Sequence, residues 1–300
     1  MKGFVTLATG NIHYYQLACN LLKSYRYRGG KYPFAILCDR ANEYTRTFEK
    51  VIILENPDFC YLDKFKILID SPFEENIFIE TDCLAYKNLD IFWDYFKNAT
   101  DFSSFGWNHG SMDIFLCPED IEQKFHIQKI PVFFPGYLYV RKGPVCEKIY
   151  KDCLDISNYI IANKTRHPKA FIRNKLHDDP VWAIAMELNS CTCVVKPSVG
   201  KCINYPSFNR KNHHYPAMNF LHGYLEDNDA NSSANLCHYS NKHTKLGKYH
   251  QQVAAMNCYL SGHNIIGRII ENQCIEKLFN IFWKMIFVLH IVRHHHGICQ

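Results

Sequence analysis

Three hundred residues with 47% hydrophobic content are enough to bury the core of one large domain, alone or with an appendage. A formal charge of +5 from 34 basic and 29 acidic residues, without a dense Lys/Arg tract, excludes the charge balance of a nucleic-acid-binding protein. The fourteen Cys have no framework spacing and no signal peptide precedes the first apolar run, so reduced thiols in a cytoplasmic-type compartment are expected. Most of them should serve as small core hydrophobes.

The chain opens with Gly3-Phe4-Val5-Thr6-Leu7-Ala8-Thr9-Gly10, a strand-like run ending in small residues. Asn11 then caps a helix expected over 12–28, where Tyr14, Leu17, Ala18, Leu21 and Leu22 recur at helical spacing. Apolar runs at 34–39 and 51–54 read as further strands. Strands alternating with helices argue for a mostly parallel sheet covered on both faces. Ligands of such sheets bind at the carboxyl ends of the strands, where Thr9, Asp39 and Asp82 fall.

Lys64 and Lys66 lie ahead of a helix that precedes Ile77-Phe78-Ile79-Glu80-Thr81-Asp82-Cys83-Leu84. This stretch reads as a buried strand whose period of two delivers Glu80 and Asp82 to one side. Two adjacent oxygen donors suit a hard divalent cation, Mg²⁺ or Mn²⁺, of the kind held by one or two carboxylates plus substrate phosphates. Carboxylates at this spacing also occur in solvated loops.

A short helix is expected at 90–96, strands at 102–107 and 132–140 with Gly136 near the substrate side, and a helix over 145–161. Asp178 and Asp179 precede a helix over 179–188 with Pro180 near its first turn. They read equally as helix caps and as working carboxylates. Residues 196–236 lack periodicity and are expected to form a lid or binding loop. Cys191, Cys193, Cys202, His213, His214 and Cys237 include zinc-type donors, but the usual Cys-x-x-Cys pairs are absent.

The last segment, 275–292, is apolar but broken by Glu276, Lys277, Asn280, Lys284 and His290. It is too interrupted to span a bilayer comfortably. It reads as a helix lying in a membrane interface, with Phe279, Phe282, Trp283, Ile286 and Phe287 inserting, or as one packed on the domain or a partner. The expected organisation is a domain over 1–265 and a helical segment over 266–300.

The order and spacing of Leu7-Ala8-Thr9, Lys64-Phe65-Lys66, Ser71-Pro72-Phe73, the 77–84 stretch, Pro135-Gly136-Tyr137, Asp178-Asp179-Pro180 and His238 resemble the GT-A class of nucleotide-sugar glycosyltransferases. More loosely, they resemble the glycogenin and lipopolysaccharide-galactosyltransferase group. The resemblance covers about residues 3–250. Glu80 stands where the family carries the first Asp of Asp-x-Asp, and the closing His-x-x-Gly-x-x-Lys appears only as His238 followed by Lys242 and Lys245.

The resemblance implies an α/β fold of the GT-A type and an enzyme using a nucleotide diphosphate sugar, a UDP-sugar for preference, with Mn²⁺ or Mg²⁺. Its product would be a hexose joined to a glycan or glycolipid hydroxyl. Glu80, Asp82 and His238 would hold the metal. Leu7, Ala8, Thr9, Tyr14 and Asp39 would line the base and ribose pocket, with Lys64 or Lys66, Thr81 and Gly136 also on the donor. Lys245, with Lys242 as alternate, would neutralise the leaving diphosphate, and Asp178 or Asp179 would face sugar and acceptor. The expected location is cytoplasmic, peripheral on a membrane. The competing readings are a nucleotidyltransferase, against which Ala8-Thr9-Gly10-Asn11 lacks a Gly-rich basic loop, and a non-catalytic glycan-binding protein on the same fold.

Overall fold

The sheet is built outward from its first strand. In the computed structural model, β1 (Lys2–Ala8) pairs in parallel with β2 (Phe34–Cys38) on one side and with β4 (Glu75–Ile79) on the other, Phe4 standing opposite both Phe34 and Ile77. β3 (Lys50–Ile53) adds in parallel beyond β2. Every residue of β2 is buried, as expected of a strand covered on both faces. The structure describes residues 1–112, 115–133, 136–172, 174–194, 203–204, 218–219, 224–225, 236–239 and 247–271.

The chain divides into two units. The first comprises residues 1–22, 31–81 and 90–199, the second 23–30, 82–89 and 200–300. The first carries a six-stranded sheet in the order β3-β2-β1-β4-β9-β6. Here β6 is Phe102–Ser103 and β9 is Tyr137–Arg141, the latter antiparallel to both neighbours. The first helix, α1 (Ile12–Tyr27), starts where the sequence places it. Short helices α2 (Ile67–Asp70) and α3 (Phe92–Tyr95) follow, and α4 (Pro118–Phe125) has Pro in its first turn. In α5 (Pro144–Ala162), Cys146, Ile149, Cys153, Ile156 and Ile160 form one buried stripe at helical spacing.

α6 (Asp178–Leu188) is buried along most of its length. Its Trp182 stacks on Phe102 at 5.0 Å and meets Phe65 edge-on at 4.7 Å. That aromatic contact locks the start of α6 to the 3₁₀ turn Tyr61–Lys66, and so fixes where Asp178 and Lys64 stand. Cys38, Cys146, Cys153, Cys191 and Cys193 are buried free thiols. Burial pushes Cys38 and Cys191 up to about 11 and Cys146 and Cys193 up to about 12, which suits packing and not reactivity.

Three expected strands are corrected. The 77–84 stretch is not one strand: β4 ends at Ile79, Glu80-Thr81-Asp82 form a turn, and β5 (Cys83–Ala85) follows. The ladder with β9 closes at Ile79 opposite Tyr137, and the Glu80 N–H then bonds the Gly136 carbonyl at 2.9 Å. The two carboxylates therefore emerge from a turn, and strand alternation does not aim them. The runs at 102–107 and 132–140 are likewise each broken in two. β7 (Gly106–Gly110) and β8 (Ile130–Phe133) make a separate antiparallel pair, so tight at Gly106 that a Cβ there would collide with the Val132 carbonyl.

In the second unit, β5 pairs antiparallel with the strand Leu236–His238, which also takes Ile203–Asn204 in parallel. Tyr86 Oη lies 2.9 Å from Tyr239 Oη and donates to Gln252 Oε1 at 3.1 Å. Helices Gly247–Leu260 and Asn264–Glu271 follow, Gly267 lying hard against the Tyr259 ring. The apolar segment 275–292 lies outside the described residues. Among the described residues no helix is long and apolar enough to cross a membrane.

Candidate active site

The first unit gathers a charge cluster where the Tyr61–Lys66 turn, the end of β4 and the start of α6 meet. The Lys64 ammonium is ion-paired with Glu80 and lies 3.0 Å from Asp178 Oδ2. Lys64 and Glu80 side chains are only 12% and 16% exposed, and Asp178 is fully buried. Burial alone would lower the Lys64 pKa, but the charges of Asp178 and Glu80 and their hydrogen bonds outweigh it and hold the ammonium well above its ordinary range. Asp178 is pushed up, by burial first and by the Asp179 and Glu80 charges next, against the pull of Lys64.

His177 completes the cluster. Its Nδ1 lies 3.1 Å from Asp179 Oδ2 and 3.9 Å from Asp178 Oδ1. Its ring sits against Tyr61 at 5.0 Å and stacks parallel to Phe115 at 6.2 Å. Burial would lower the imidazole's pKa, yet the hydrogen bond and charge of Asp179, helped by Asp178, raise it. Among the described residues, Asp178 Oδ1 and Asp179 Oδ1 are buried without a hydrogen-bond partner. Two carboxylates, Glu80 and Asp178, hold the Lys64 ammonium and a third, Asp179, lies against His177, so the cluster can accept hydrogen bonds from hydroxyls or receive positive charge.

A second group lies at the carboxyl end of β1. Thr9 Oγ1 donates to Asp63 Oδ2 at 2.9 Å, and Asp63 is fully buried. Asp39 accepts the Gly10 N–H at 2.8 Å, the Tyr15 hydroxyl and the Arg40 guanidinium at 2.7 Å. Burial would raise the Asp39 carboxyl, but these three partners overcome it and hold it below the usual range. Asp39 thus fastens the β1–α1 turn to β2. Leu7 and Tyr14 are half-buried and Ala8 is buried.

The third group is in the second unit, at its entry from Thr81. The Asp82 carbonyl accepts the Tyr239 N–H at 2.8 Å, and His238 stands opposite Cys83 in the antiparallel ladder. Residue 238, remote in sequence, therefore has its backbone next to the Asp82 turn. Glu80, two residues before Asp82, has its carboxylate on Lys64.

Of the two lysines expected near the donor, only Lys64 joins the cluster. Lys66 turns away and donates to the carbonyls of Glu55 and Asn56. Lys242 and Lys245 lie outside the described residues. The sequence reading passed over His177 and Asp63. His177 was visible as the first of three consecutive potential ligands, His177-Asp178-Asp179, whose donor atoms all lie within 4.8 Å of one another. Asp63 carried no such signal, because its partners are 54 and 5 residues away.

A mostly parallel sheet flanked by helices, with one reversed strand before its edge, is the GT-A-type fold. Among solved structures, the galactosyltransferase LgtC in complex with donor and acceptor sugar analogs matches with a TM-score of 0.50 at 13% identity, over 80% of this chain and 87% of that one. Mouse xyloside xylosyltransferase 1 matches with a TM-score of 0.47 at 12% identity, over 81% of this chain and 99% of that one. No family model and no curated protein sequence match the chain.

Proposed function

We propose that this protein is a metal-dependent glycosyltransferase that moves a hexose from a nucleotide diphosphate sugar, a UDP-sugar for preference, to a hydroxyl of a glycan or glycolipid. The observation that carries this reading is the cluster at the start of α6. A buried lysine is clamped between Glu80 and Asp178, and two carboxylate oxygens remain unpartnered, in a fold shared with a galactosyltransferase. Asp179 is the more exposed of the two helix carboxylates, at 23%. It is therefore assigned to meet the sugar and acceptor hydroxyls, while Asp178 holds Lys64 toward the donor. A carboxylate in that position accepts the hydroxyl's hydrogen bond or proton.

Asp82 and His238 are the assigned protein ligands of Mn²⁺ or Mg²⁺, with Glu80 beside Asp82 in the chain. The donor set fits: hard oxygens with one imidazole suit Mn²⁺ more readily than Mg²⁺, and the pairing of His238 with Cys83 supports bringing it to Asp82. When bound, the ion would neutralise charge developing on the diphosphate. Lys242 and Lys245 are assigned the same electrostatic task. Leu7, Ala8, Thr9 and Tyr14, with Thr81 and Gly136, are assigned to the donor, and Asp39 supports them through the Gly10 turn.

The segment 275–292 is assigned to an anionic membrane surface. Ile265, Ile266 and Ile269 on the helix just before it are 77%, 49% and 55% exposed, and Lys277, Lys284 and Arg293 follow in sequence. The test of the activity is a panel of nucleotide sugars with Mn²⁺, reading released nucleoside diphosphate. Release from none of them, with or without glycan acceptors, would refute the enzyme reading.

A further inference from the structure

One aromatic ring is held in solvent against both backbone preference and the hydrophobic effect. Phe59 has a left-handed backbone, φ 52°, a region that bulky residues avoid, and it is 53% exposed. Its loop is tied down from several sides. Lys175 Nζ donates to the Phe59 carbonyl at 3.2 Å, and the Asp58 N–H donates to Asp63 Oδ1 at 2.7 Å. Lys66 Nζ donates to the carbonyls of Glu55 and Asn56. Asp63 also receives Thr9 Oγ1, which joins the loop to the carboxyl end of β1. The ring lies beside Gly10, itself left-handed at φ 74°, where an added Cβ would come within 3.3 Å of Phe59 Cδ1.

Backbone strain persists only where the surroundings over-determine it, and such residues cluster at ligand sites. Here the over-determination ends in an exposed ring at a strand's carboxyl end, where α/β sheets take their ligands. The two buried carboxylates nearby, Asp63 and Asp39, already have protein donors on both oxygens. The surface thus offers an aromatic face beside two carboxylates whose oxygens are already engaged, which suits a flat heteroaromatic ring. We infer that Phe59 is the stacking platform for the nucleobase of the donor's nucleoside diphosphate, a contact that rests on the transferase reading above and extends it. Stacking of this kind tolerates different bases, so Phe59 contributes affinity, while hydrogen-bonding groups decide which base is preferred.

The test is calorimetric titration of UDP with Mn²⁺ into the full chain and into Phe59→Tyr and Phe59→Asn. Tyr keeps the ring, and Asn accepts left-handed backbone without one. The expected result is near-unchanged affinity for Phe59→Tyr and about tenfold weaker binding for Phe59→Asn, at an unchanged or higher Tm. Inorganic pyrophosphate with Mn²⁺ should bind all three alike. Wild-type UDP affinity in Phe59→Asn overturns the inference, as does an equal loss of pyrophosphate binding or a Tm lowered by several degrees. If the unaltered protein binds none of UDP, GDP, ADP or CDP, the transferase reading itself fails, a result distinct from an unchanged Phe59→Asn.

Discussion

Replacing Lys64 by Met removes one charge at nearly constant volume and leaves Asp178 buried without its cation. Asp178 is fully buried and has one oxygen on Lys64 and the other unpartnered. Breaking a buried pair in this way costs about 3–5 kcal/mol. The carboxyl has an escape, because it can take up a proton and become neutral. That escape costs about 1.4 kcal/mol for each pH unit between a free carboxyl's pKa of about 3.9 and the working pH. The ceiling is therefore about 4 kcal/mol at pH 7 and about 1.5 kcal/mol at pH 5. The sign follows from linkage: the variant's folded state holds a proton that its unfolded state releases, so its deficit grows as pH rises and shrinks as pH falls. Urea unfolding of wild type and Lys64→Met at both pH values reads the difference directly. Adding Asp178→Asn to Lys64→Met should recover part of the loss, since the fully buried carboxylate is then gone. A deficit below about 0.5 kcal/mol that does not change with pH would show that Lys64 and Asp178 do not form the buried pair.

Asp82→Asn should lower turnover by roughly a hundredfold or more with the fold intact, and His238→Ala should weaken Mn²⁺ binding; full activity in chelator would remove the metal from the reaction. Asp120, buried in α4, accepts hydrogen bonds from Tyr159 at 2.7 Å, His167 Nε2 at 2.9 Å and Arg166. These outweigh the upward push of burial and hold its pKa down. Asp120→Asn should therefore cost about 2–3 kcal/mol at pH 7, and the gap should begin to shrink as pH falls below about 4 and close through the depressed pKa; a gap that stays constant as the pH is lowered would assign the loss to packing. Deleting residues 275–300 should release the protein from anionic liposomes while donor hydrolysis survives; an unfolded truncation would make the segment part of the core.

Much of the sheet and its helices was legible because burial leaves a periodic trace. α1 and α5 were readable from apolar spacing, α6 from Pro180 near its first turn, and β1 and β2 from unbroken apolar runs, since a strand covered on both faces needs no alternation. The break at Glu80 was not legible, because it depends on where the β9 ladder ends, a pairing across some sixty residues. The choice between Lys64 and Lys66 was hidden for a similar reason. Both are long cations two positions apart, and only the 3₁₀ geometry of Tyr61–Lys66 turns one toward Asp178 and the other toward Asn56. Asp63 leaves no periodic trace either, because one of its two partners is a backbone N–H in its own loop and the other, Thr9, is 54 residues away.

The reversed strand β9 also governs how the chain can assemble as it is made. Ile77 pairs with Phe4 on one side and with Tyr139 on the other, so β1 to β4 can associate early while the outer edge of β4 waits for residues 137–141. At about 5–20 residues per second, synthesis of the intervening stretch takes on the order of several seconds. During that interval an apolar strand, buried from Asn76 to Ile79 in the finished protein, presents open backbone groups to any neighbouring chain. Translation speed between β4 and β9, more than final stability, should then set the yield of correctly folded protein.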